Sequence, residues 1–247
     1  MDSRYDTSAL GRPLLAILCY NNGVHATETL LRVPQPAPFD VVVHDDGSTD
    51  DTATRISAFP FPVLHRASNA GLGASFKAVI RYARDGGYRV LAVMAGNGKD
   101  DPRETERLLE PLYRDGYDYV QGSRRLHRGM DGTPWPRRLV VPLHAVFASV
   151  VTGVRQTDAL NGHRAYRLAP LFEDPAFQVW GDWLDGYSFE AYLHYRFARS
   201  RYRTCEVPVT KSYAGFAPAE RYSHIRMLRD GWSIVRPWVL LPLRLRR

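Results

Sequence analysis

The sequence predicts an α/β protein built on a mostly parallel, mixed sheet that is flanked by helices. Short apolar runs alternate with segments of helical character through the first half of the chain, and this alternation is typical of parallel strands joined by helices. Polar clusters at 45–48 and 96–101 directly follow two of the apolar runs. Ligands bind beyond the carboxyl ends of the strands in open α/β sheets, so both clusters are expected at one functional edge.

The predicted strands of the first half are short runs of apolar or β-branched residues. Pro13–Cys19 and Asp40–Asp45 have the length of buried strands, and the second ends in a polar turn. Thr49 or Asp50 can cap a helix that runs to about Ala58. The remaining strands are predicted over 62–65, 89–94 and 117–121, and the remaining helices over 25–33, 74–84 and from Pro102 to 114.

The second half of the chain has a less regular pattern. Helices are predicted over 137–153 and 184–199, and a strand over 202–209. A final amphipathic segment over 224–243 is interrupted by Pro237 and Pro242. We therefore predict one domain over 1–220, followed by a basic amphipathic segment over 221–247.

The composition is that of a globular protein with a preference for anions. The chain has 247 residues, of which 45% are hydrophobic and 24% charged, and this excludes disorder, collagen and coiled coil. The formal net charge of +7 favours nucleotide phosphates or lipid headgroups as partners, whereas no recognisable module supports nucleic-acid binding. Cys19 and Cys205 are too few for a disulfide framework or a Cys-rich zinc site, which indicates reduced thiols. With no recognisable secretory signal or membrane span, a cytoplasmic location is expected.

Several polar motifs occur in an order that resembles a known family. They are Val41–Asp50, Asn69–Lys77, the loop from Val93 to Pro102, Gly122–Arg124, Thr157–Arg164 and Glu206–Val209. The chain is similar to the family 2 glycosyltransferases of GT-A fold, especially the branch of the polyprenyl-phosphate (dolichol-phosphate) mannose synthases. The resemblance implies an enzyme that moves a sugar, with inversion, from a UDP- or GDP-sugar to a phosphate or hydroxyl acceptor. It implies no organic cofactor.

The resemblance assigns one group of residues to the donor nucleotide. One aspartate of the pair Asp45 and Asp46 accepts hydrogen bonds from the base or ribose, as an ionised carboxylate can. Alternatively, these residues only form a capped strand-to-helix turn. A separate expectation is that glycines after the third strand allow a close backbone approach. The donor candidates are completed by Gly71, Lys77, Asn97, Lys211 and Arg221, with Lys77 alternatively a solvated surface lysine.

The loop after the fourth strand departs from the family pattern. Relatives carry an Asp-x-Asp here that binds a divalent metal, but this chain has Ala95 and Asn97 at those positions. Lys99 follows in the same turn and can supply positive charge to the departing diphosphate. Mg²⁺ or Mn²⁺ is therefore in doubt, and Asp100 and Asp101 are the candidates for a displaced metal site. A degraded site is the other alternative.

A second group of residues is assigned to the acceptor. Arg124 and Arg138 are placed to contact an acceptor phosphate, since arginine binds phosphate bidentately. Asp158 is the candidate general base for a hydroxyl acceptor. A phosphate acceptor is already ionised, and Asp158 would then only position it. His163, Asp182 and Asp185 are further acceptor candidates, with structural roles as their alternatives.

The C-terminal segment and the missing Asp-x-Asp leave two wider alternatives open. A basic, aromatic-rich amphipathic stretch can lie on the inner face of an anionic membrane, or pack on the domain as a lid, or form an oligomer contact. The loss of the Asp-x-Asp carboxylates leaves open the alternative that the protein is not an enzyme, but a non-catalytic nucleotide-sugar-binding or scaffold protein. The expected partners are accordingly a nucleoside diphosphate sugar, a polyprenyl phosphate or small-molecule acceptor, and an anionic membrane surface.

Overall fold

A computed structural model describes residues 10–126, 133, 135–213 and 227–246. Its strands are β1 Leu14–Cys19, β2 Asp40–Asp45, β3 Val63–His65, β4 Val90–Ala95, β5 Tyr119–Ser123, β6 Arg164–Arg167 and β7 Thr204–Pro208. Its helices are α1 Gly23–Leu31, α2 Thr52–Ile56, α3 Leu72–Asp85, α4 Thr105–Arg114, α5 Trp135–Thr152, α6 Ala169–Glu173, α7 Ser188–Ala198 and α8 Met227–Leu240. Short 3₁₀ turns at Pro102–Glu104 and Asp182–Leu184 precede α4 and α7.

The seven strands form one mixed sheet in the order β3-β2-β1-β4-β6-β5-β7. β6 runs antiparallel to both of its neighbours, while the other pairings are parallel. The carboxyl ends of β2, β4, β5 and β7 therefore lie at one edge, and β6 begins at that same edge. The predicted α/β class and the mixed, mostly parallel sheet are confirmed, and the polar clusters lie where the sheet geometry predicts them.

Both faces of the sheet are covered, which explains why its strands are nearly continuous in apolar residues. β1 alternates between the two layers: Leu14 and Ala16 face one core, and Leu15 and Ile17 face the other. The first core is closed by helices α3, α5, α7 and α8, and the second by α1, α2 and α4. Cys19 and Cys205 are both free thiols.

Two elements of the second half were not predicted from the sequence. β6 reads Arg-Ala-Tyr-Arg and lacks an apolar run, and α6 has only five residues. Arg164 is nevertheless buried in β6, because its guanidinium donates to the Asn161 carbonyl and to Glu190 Oε1 at 2.6 and 2.7 Å. A buried arginine satisfied by residues up to 26 positions away cannot be recognised from local periodicity.

The described part of the C-terminal segment is a helix packed against α7. Trp238 of α8 is buried, with its ring 5.5 Å from His144 and 5.7 Å from His194. Arg236 donates to Ser188 Oγ at 2.6 Å. The predicted boundary between 1–220 and 221–247 falls outside the described residues. Among the residues described, no helix has the apolar length needed to cross a bilayer.

Candidate functional site

The carboxylates at the end of β2 face inward. Asp45 Oδ1 accepts hydrogen bonds from the Ser48 amide at 3.1 Å and the Ser48 hydroxyl at 2.5 Å. His65 Nδ1 lies 2.7 Å from the other oxygen of Asp45. Asp45 is fully buried, so in this structure its carboxylate holds the turn after β2 and the end of β3 together.

Asp46 connects two motifs that the sequence presented separately. Its carboxylate accepts from the amides of Ala70 and Gly71 at 3.2 and 2.9 Å, and from Asn69 Nδ2 at 3.0 Å. These three donors form the glycine loop that opens α3. The polar turn after β2 and the glycine loop therefore form one rigid unit, and the nucleotide role of both aspartates stays a prediction.

The glycines of this loop are required by close packing. Gly71 has a φ of 99°, and a Cβ there would lie 2.7 Å from the Asp185 carbonyl oxygen. A Cβ at Gly73 would lie 1.7 Å from the Leu184 carbonyl oxygen. The loop is thus pressed against the 3₁₀ turn at Asp182–Leu184, where only hydrogen fits.

Lys77 is buried, so the alternative of a solvated surface lysine is wrong. Its ammonium donates to the Gly181 carbonyl at 2.9 Å and to Asp185 Oδ1 at 2.5 Å. Asp182 is exposed at the start of the same turn. Two donor candidates, Gly71 and Lys77, are therefore brought together with two acceptor candidates, Asp182 and Asp185, although the sequence analysis placed them in different subsites.

A cluster of cations occupies the edge of the sheet beyond β4 and β5. We call Lys99, Arg124, Arg137 and Lys211 the cationic cluster. Lys99 is only 4% exposed. Burial, together with the positive charges of Lys211, Arg137 and Arg124, lowers the pKa of Lys99 to about 7. A strongly shifted pKa among several charged groups marks this edge of the sheet as a candidate functional site.

Asp100 is the anionic partner of Lys211 rather than an open metal ligand. The Lys211 ammonium donates to both Asp100 oxygens at 2.8 Å and to Asn161 Oδ1 at 3.1 Å. Burial opposes the ionisation of Asp100, but the Lys211 charge outweighs it and the pKa of the carboxyl is lowered. Asp101 is likewise occupied, since it accepts from the Arg103 amide at 2.9 Å and pairs with its guanidinium at 2.6 Å.

These residues do not fit a metal held by carboxylates in the usual way. Ala95 offers no ligand, and the side-chain oxygen of Asn97 lies 3.4 Å from the Lys99 amide within the turn. Asp100 and Asp101 each face a cation, and the described residues contain no group of three His, Cys, Asp or Glu able to hold an ion. Cationic side chains supply positive charge in the place where relatives bind a metal ion, so no step of the reaction is assigned to a metal.

Asp158 forms a buried, bidentate ion pair with Arg124. The guanidinium donates to its two oxygens at 2.5 and 2.7 Å, and the Arg124 amide donates at 3.1 Å. Burial opposes the charge of Arg124, but these bonds to Asp158 more than offset it and raise the pKa of the guanidinium. The carboxylate proposed as a general base is thus engaged in orienting an arginine.

The remaining acceptor candidates lie in different surroundings. His163 is buried with Nε2 3.1 Å from Thr105 Oγ1, and burial lowers its pKa to about 4, so it is neutral. Arg138 has an exposed side chain whose Nε donates to the Thr133 carbonyl at 3.0 Å. Its neighbour Arg137 turns toward the cluster instead, and donates to the Tyr213 hydroxyl at 3.0 Å. Arg221 lies outside the described residues.

Two glutamates that the sequence analysis did not assign hold the cluster in place. Glu206 of β7 accepts from the Thr157 and Asp158 amides at 2.9 and 3.0 Å, and so fixes the loop that carries Asp158. Glu104 accepts from the Thr210 amide at 2.7 Å, which ties the segment carrying Lys211 to the loop carrying Lys99. For Glu206, the only hint in the sequence was a charged residue inside the short strand motif Glu-Val-Pro. Its partners could not be predicted, because they are 48 and 49 residues away.

Comparison with known proteins agrees with this architecture. The model of the family described as "Glycosyl transferase family 2" matches residues 15–173. The chain is 34% identical to an undecaprenyl-phosphate mannosyltransferase of Micrococcus luteus, over 81% of this chain and 83% of the relative. It is 31% identical to a polyprenol monophosphomannose synthase of Mycolicibacterium smegmatis, over 81% of this chain and 77% of the relative.

Solved structures share the fold at low sequence identity. Glucosyl-3-phosphoglycerate synthase of Mycobacterium tuberculosis, solved with Mn²⁺, UDP and glucosyl-3-phosphoglycerate, has a TM-score of 0.61 at 16% identity, covering 96% of this chain and 81% of that chain. Mannosyl-3-phosphoglycerate synthase of Rubrobacter xylanophilus has a TM-score of 0.67 at 17% identity, covering 95% of this chain and 74% of that chain. These neighbours share the GT-A fold. With a matching family model over most of its length and two relatives above 30% identity, the chain belongs to glycosyl transferase family 2.

Proposed function

We propose that this glycosyltransferase moves a mannosyl group from a UDP- or GDP-sugar to a polyprenyl phosphate at the cytoplasmic face of the membrane. The observation that carries the proposal is the cationic cluster: within the described part of the chain, Arg124, Arg137 and Lys211 all lie close enough to Lys99 for their charges to act on it, beside Asp100 and Asp158. Lysine and arginine side chains gathered at one edge of the sheet are suited to phosphate groups. The mannosyl group and the lipid acceptor are supported by the names of the two relatives.

The engagement of Asp158 supports a phosphate acceptor over a hydroxyl acceptor. A hydroxyl needs a base to take its proton, and a carboxylate that already binds a guanidinium with both oxygens is a poor base. His163 is buried, neutral and in contact with Thr105. A phosphate monoester is ionised near neutral pH and needs no base, so Asp158 is left to orient Arg124 toward it.

The transfer itself is a single displacement. An oxygen of the acceptor phosphate forms a bond to the anomeric carbon of the sugar. The bond from that carbon to the diphosphate oxygen breaks, and the nucleoside diphosphate leaves with the electron pair. Inversion of the anomeric centre follows from attack opposite the leaving group.

Charge on the leaving diphosphate is the part of the reaction to which Lys99 and Lys211 can contribute. The departing group gains negative charge in the transition state, and fixed cations in a site that is shielded from water stabilise it. The M. tuberculosis neighbour was solved with Mn²⁺, whereas here Ala95, Asn97 and the paired Asp100 do not fit that ion. We therefore expect this enzyme to depend less on a divalent metal than relatives that carry an Asp-x-Asp.

The test is product formation with purified protein in detergent. UDP- and GDP-sugars are offered with undecaprenyl phosphate, or with 3-phosphoglycerate as the alternative acceptor, and products are identified by mass spectrometry. We expect a glycosylated polyprenyl phosphate, a strong loss in Lys99→Met, and wild-type rates in Arg114→Gln, an exposed arginine at the far edge of the sheet. Glycosylation of 3-phosphoglycerate alone would contradict the lipid acceptor, and donor binding without any transfer would favour the scaffold.

A further inference from the structure

Helix α5 presents an apolar face to solvent. The side chains of Trp135, Leu139, Leu143, Val146 and Val150 are between 58% and 77% exposed, and we call these five residues the apolar stripe. Their spacing of three or four positions places them on one side of the helix. A single exposed leucine needs no explanation, but a continuous apolar stripe along a whole helix marks an interaction surface.

Packing onto the sheet does not account for this face. The opposite side of α5 carries Val141, Ala145, Ala148 and Thr152, which are all buried. The helix is therefore apolar on both sides, although only one side contacts the core. Among the described residues, seven of the fourteen large hydrophobic side chains that are exposed belong to this one helix.

The charges of the helix indicate what covers the stripe. α5 contains no acidic residue, and its cations, Arg137 and Arg138, both lie in its first turn next to Trp135. An apolar face with tryptophan and arginine at one end is typical of helices that lie in the headgroup region of an anionic bilayer.

The position of Arg137 connects this surface to the site. Its guanidinium donates to Tyr213 and its charge acts on Lys99, so the apolar stripe begins where the cationic cluster ends. We infer that the apolar stripe of α5 is the surface that docks on an anionic lipid bilayer. This inference rests on the proposed function. Docking through α5 would hold the cationic cluster at the level of the lipid headgroups, where the phosphate of a polyprenyl phosphate is found.

The described part of the C-terminal segment packs several of its apolar side chains on the domain. Trp238 and Leu241 of that segment are buried against the domain, and Arg236 is hydrogen-bonded to Ser188. Of the exposed large apolar side chains in the described part of this segment, Trp232, Leu243 and Leu245, only Trp232 lies within α8. We therefore assign the principal membrane contact to α5.

Vesicle binding of the full chain tests the inference directly. The stripe variant Leu143→Glu/Val150→Glu is compared with the control variant Val24→Glu/Leu31→Glu, which makes the same charge change at two exposed apolar positions of α1. Co-sedimentation with phosphatidylglycerol vesicles is expected to fall about tenfold or more in the stripe variant, and by no more than about twofold in the control. Circular dichroism confirms that both variants are folded.

Two further readouts separate this inference from the proposed function. Transfer to a short-chain, water-soluble polyprenyl phosphate is expected to survive in the stripe variant, because its cationic cluster is intact. Equal vesicle binding by wild type and stripe variant would overturn the docking surface. A wild-type dimer in solution that the stripe variant dissociates would overturn it too, in favour of a second copy. Failure of the wild type with every acceptor, while vesicle binding still depends on the stripe, would overturn only the proposed function.

Discussion

Lys99 brings a positive charge into a place that already holds Lys211, Arg124 and Arg137. Its pKa is lowered to about 7 by burial and by these neighbours, whereas an unfolded chain keeps it near 10.4. The unfolded state therefore binds more protons between pH 7 and 10, and stability contributed by this group falls as the pH falls through that window. A bound diphosphate is expected to favour the charged form of Lys99, because a nearby negative charge raises the pKa of a lysine.

Replacing Lys99 by methionine is expected to lower the activity and to raise the stability of the protein. The variant should melt at a higher temperature than wild type at pH 7. The difference should shrink toward pH 10, as the unfolded-state lysine approaches its own pKa and the two states come closer in the protons they bind. Transfer should fall more than donor affinity, because charge on the leaving group exceeds that of the bound donor. Melting curves at the two pH values and steady-state kinetics check this, and an equal loss of kcat and donor affinity would contradict the leaving-group role.

The buried ion pair of Asp158 and Arg124 is expected to contribute strongly to stability. Asp158→Asn leaves Arg124 buried without its anionic partner, and breaking such a pair costs on the order of 3–5 kcal/mol. The exposed pair of Arg114 and Glu110 provides the control, since Glu110→Gln should cost less than about 1 kcal/mol. Urea unfolding measures both. A neutral effect of Asp158→Asn on stability would show that the pair is not formed as described.

The packing of α3 against the 3₁₀ turn at Asp182–Leu184 yields a prediction at the scale of elements. Gly73→Ala would place a Cβ 1.7 Å from the Leu184 carbonyl, so the two elements must move apart. Gly231 of α8 is the matched control, because a Cβ there meets nothing within 4 Å. We expect Gly73→Ala to destabilise the protein by at least about 2 kcal/mol and Gly231→Ala to stabilise it by about 0.5–1 kcal/mol. Thermal unfolding compares the two, and a tolerated Gly73→Ala would contradict the close packing.

The strands differ in how well they can be predicted from the sequence. β1 and β2 were predictable because an apolar run between polar turns depends only on local residues. β6 was not, since its Arg164 is buried by partners that the fold brings in from elsewhere. The site shows the same difference between local and distant features. The loss of Asp-x-Asp at Ala95 and Asn97 was visible in the sequence because it depends on local residues. The pairing of Lys77 with Asp185, across 108 residues, was not.

At the scale of the whole molecule, histidines whose pKa is lowered by burial are expected to control the response to acid, among them His144, His163 and His194. Burial lowers the pKa of His144 and His163 to about 4 and of His194 to about 3. Their unfolded pKa is near 6.5, so the unfolded state binds more protons below that value and stability falls as the pH falls from about 6.5 to 4. Since His144 and His194 both contact Trp238, the packing of α5, α7 and α8 is expected to weaken first.

His194→Phe tests this acid response. The variant should lose less stability than wild type between pH 6.5 and 4, because one proton-binding group of the unfolded chain is gone. Unfolding by urea at the two pH values gives the comparison. An unchanged pH dependence in both His194→Phe and His144→Phe would show that these histidines do not control the transition.

The proposed function depends on a phosphate being the acceptor group that the cationic cluster receives. The most direct measurement compares the wild-type protein with two acceptors of identical chain length, a polyprenyl phosphate and the corresponding polyprenol, under the same donor and detergent. Asp158 is engaged by Arg124, and His163 is neutral and buried. We therefore predict transfer to the phosphate and none above background to the alcohol. Comparable transfer to the polyprenol would contradict it, because a hydroxyl acceptor requires a base that this arrangement does not offer.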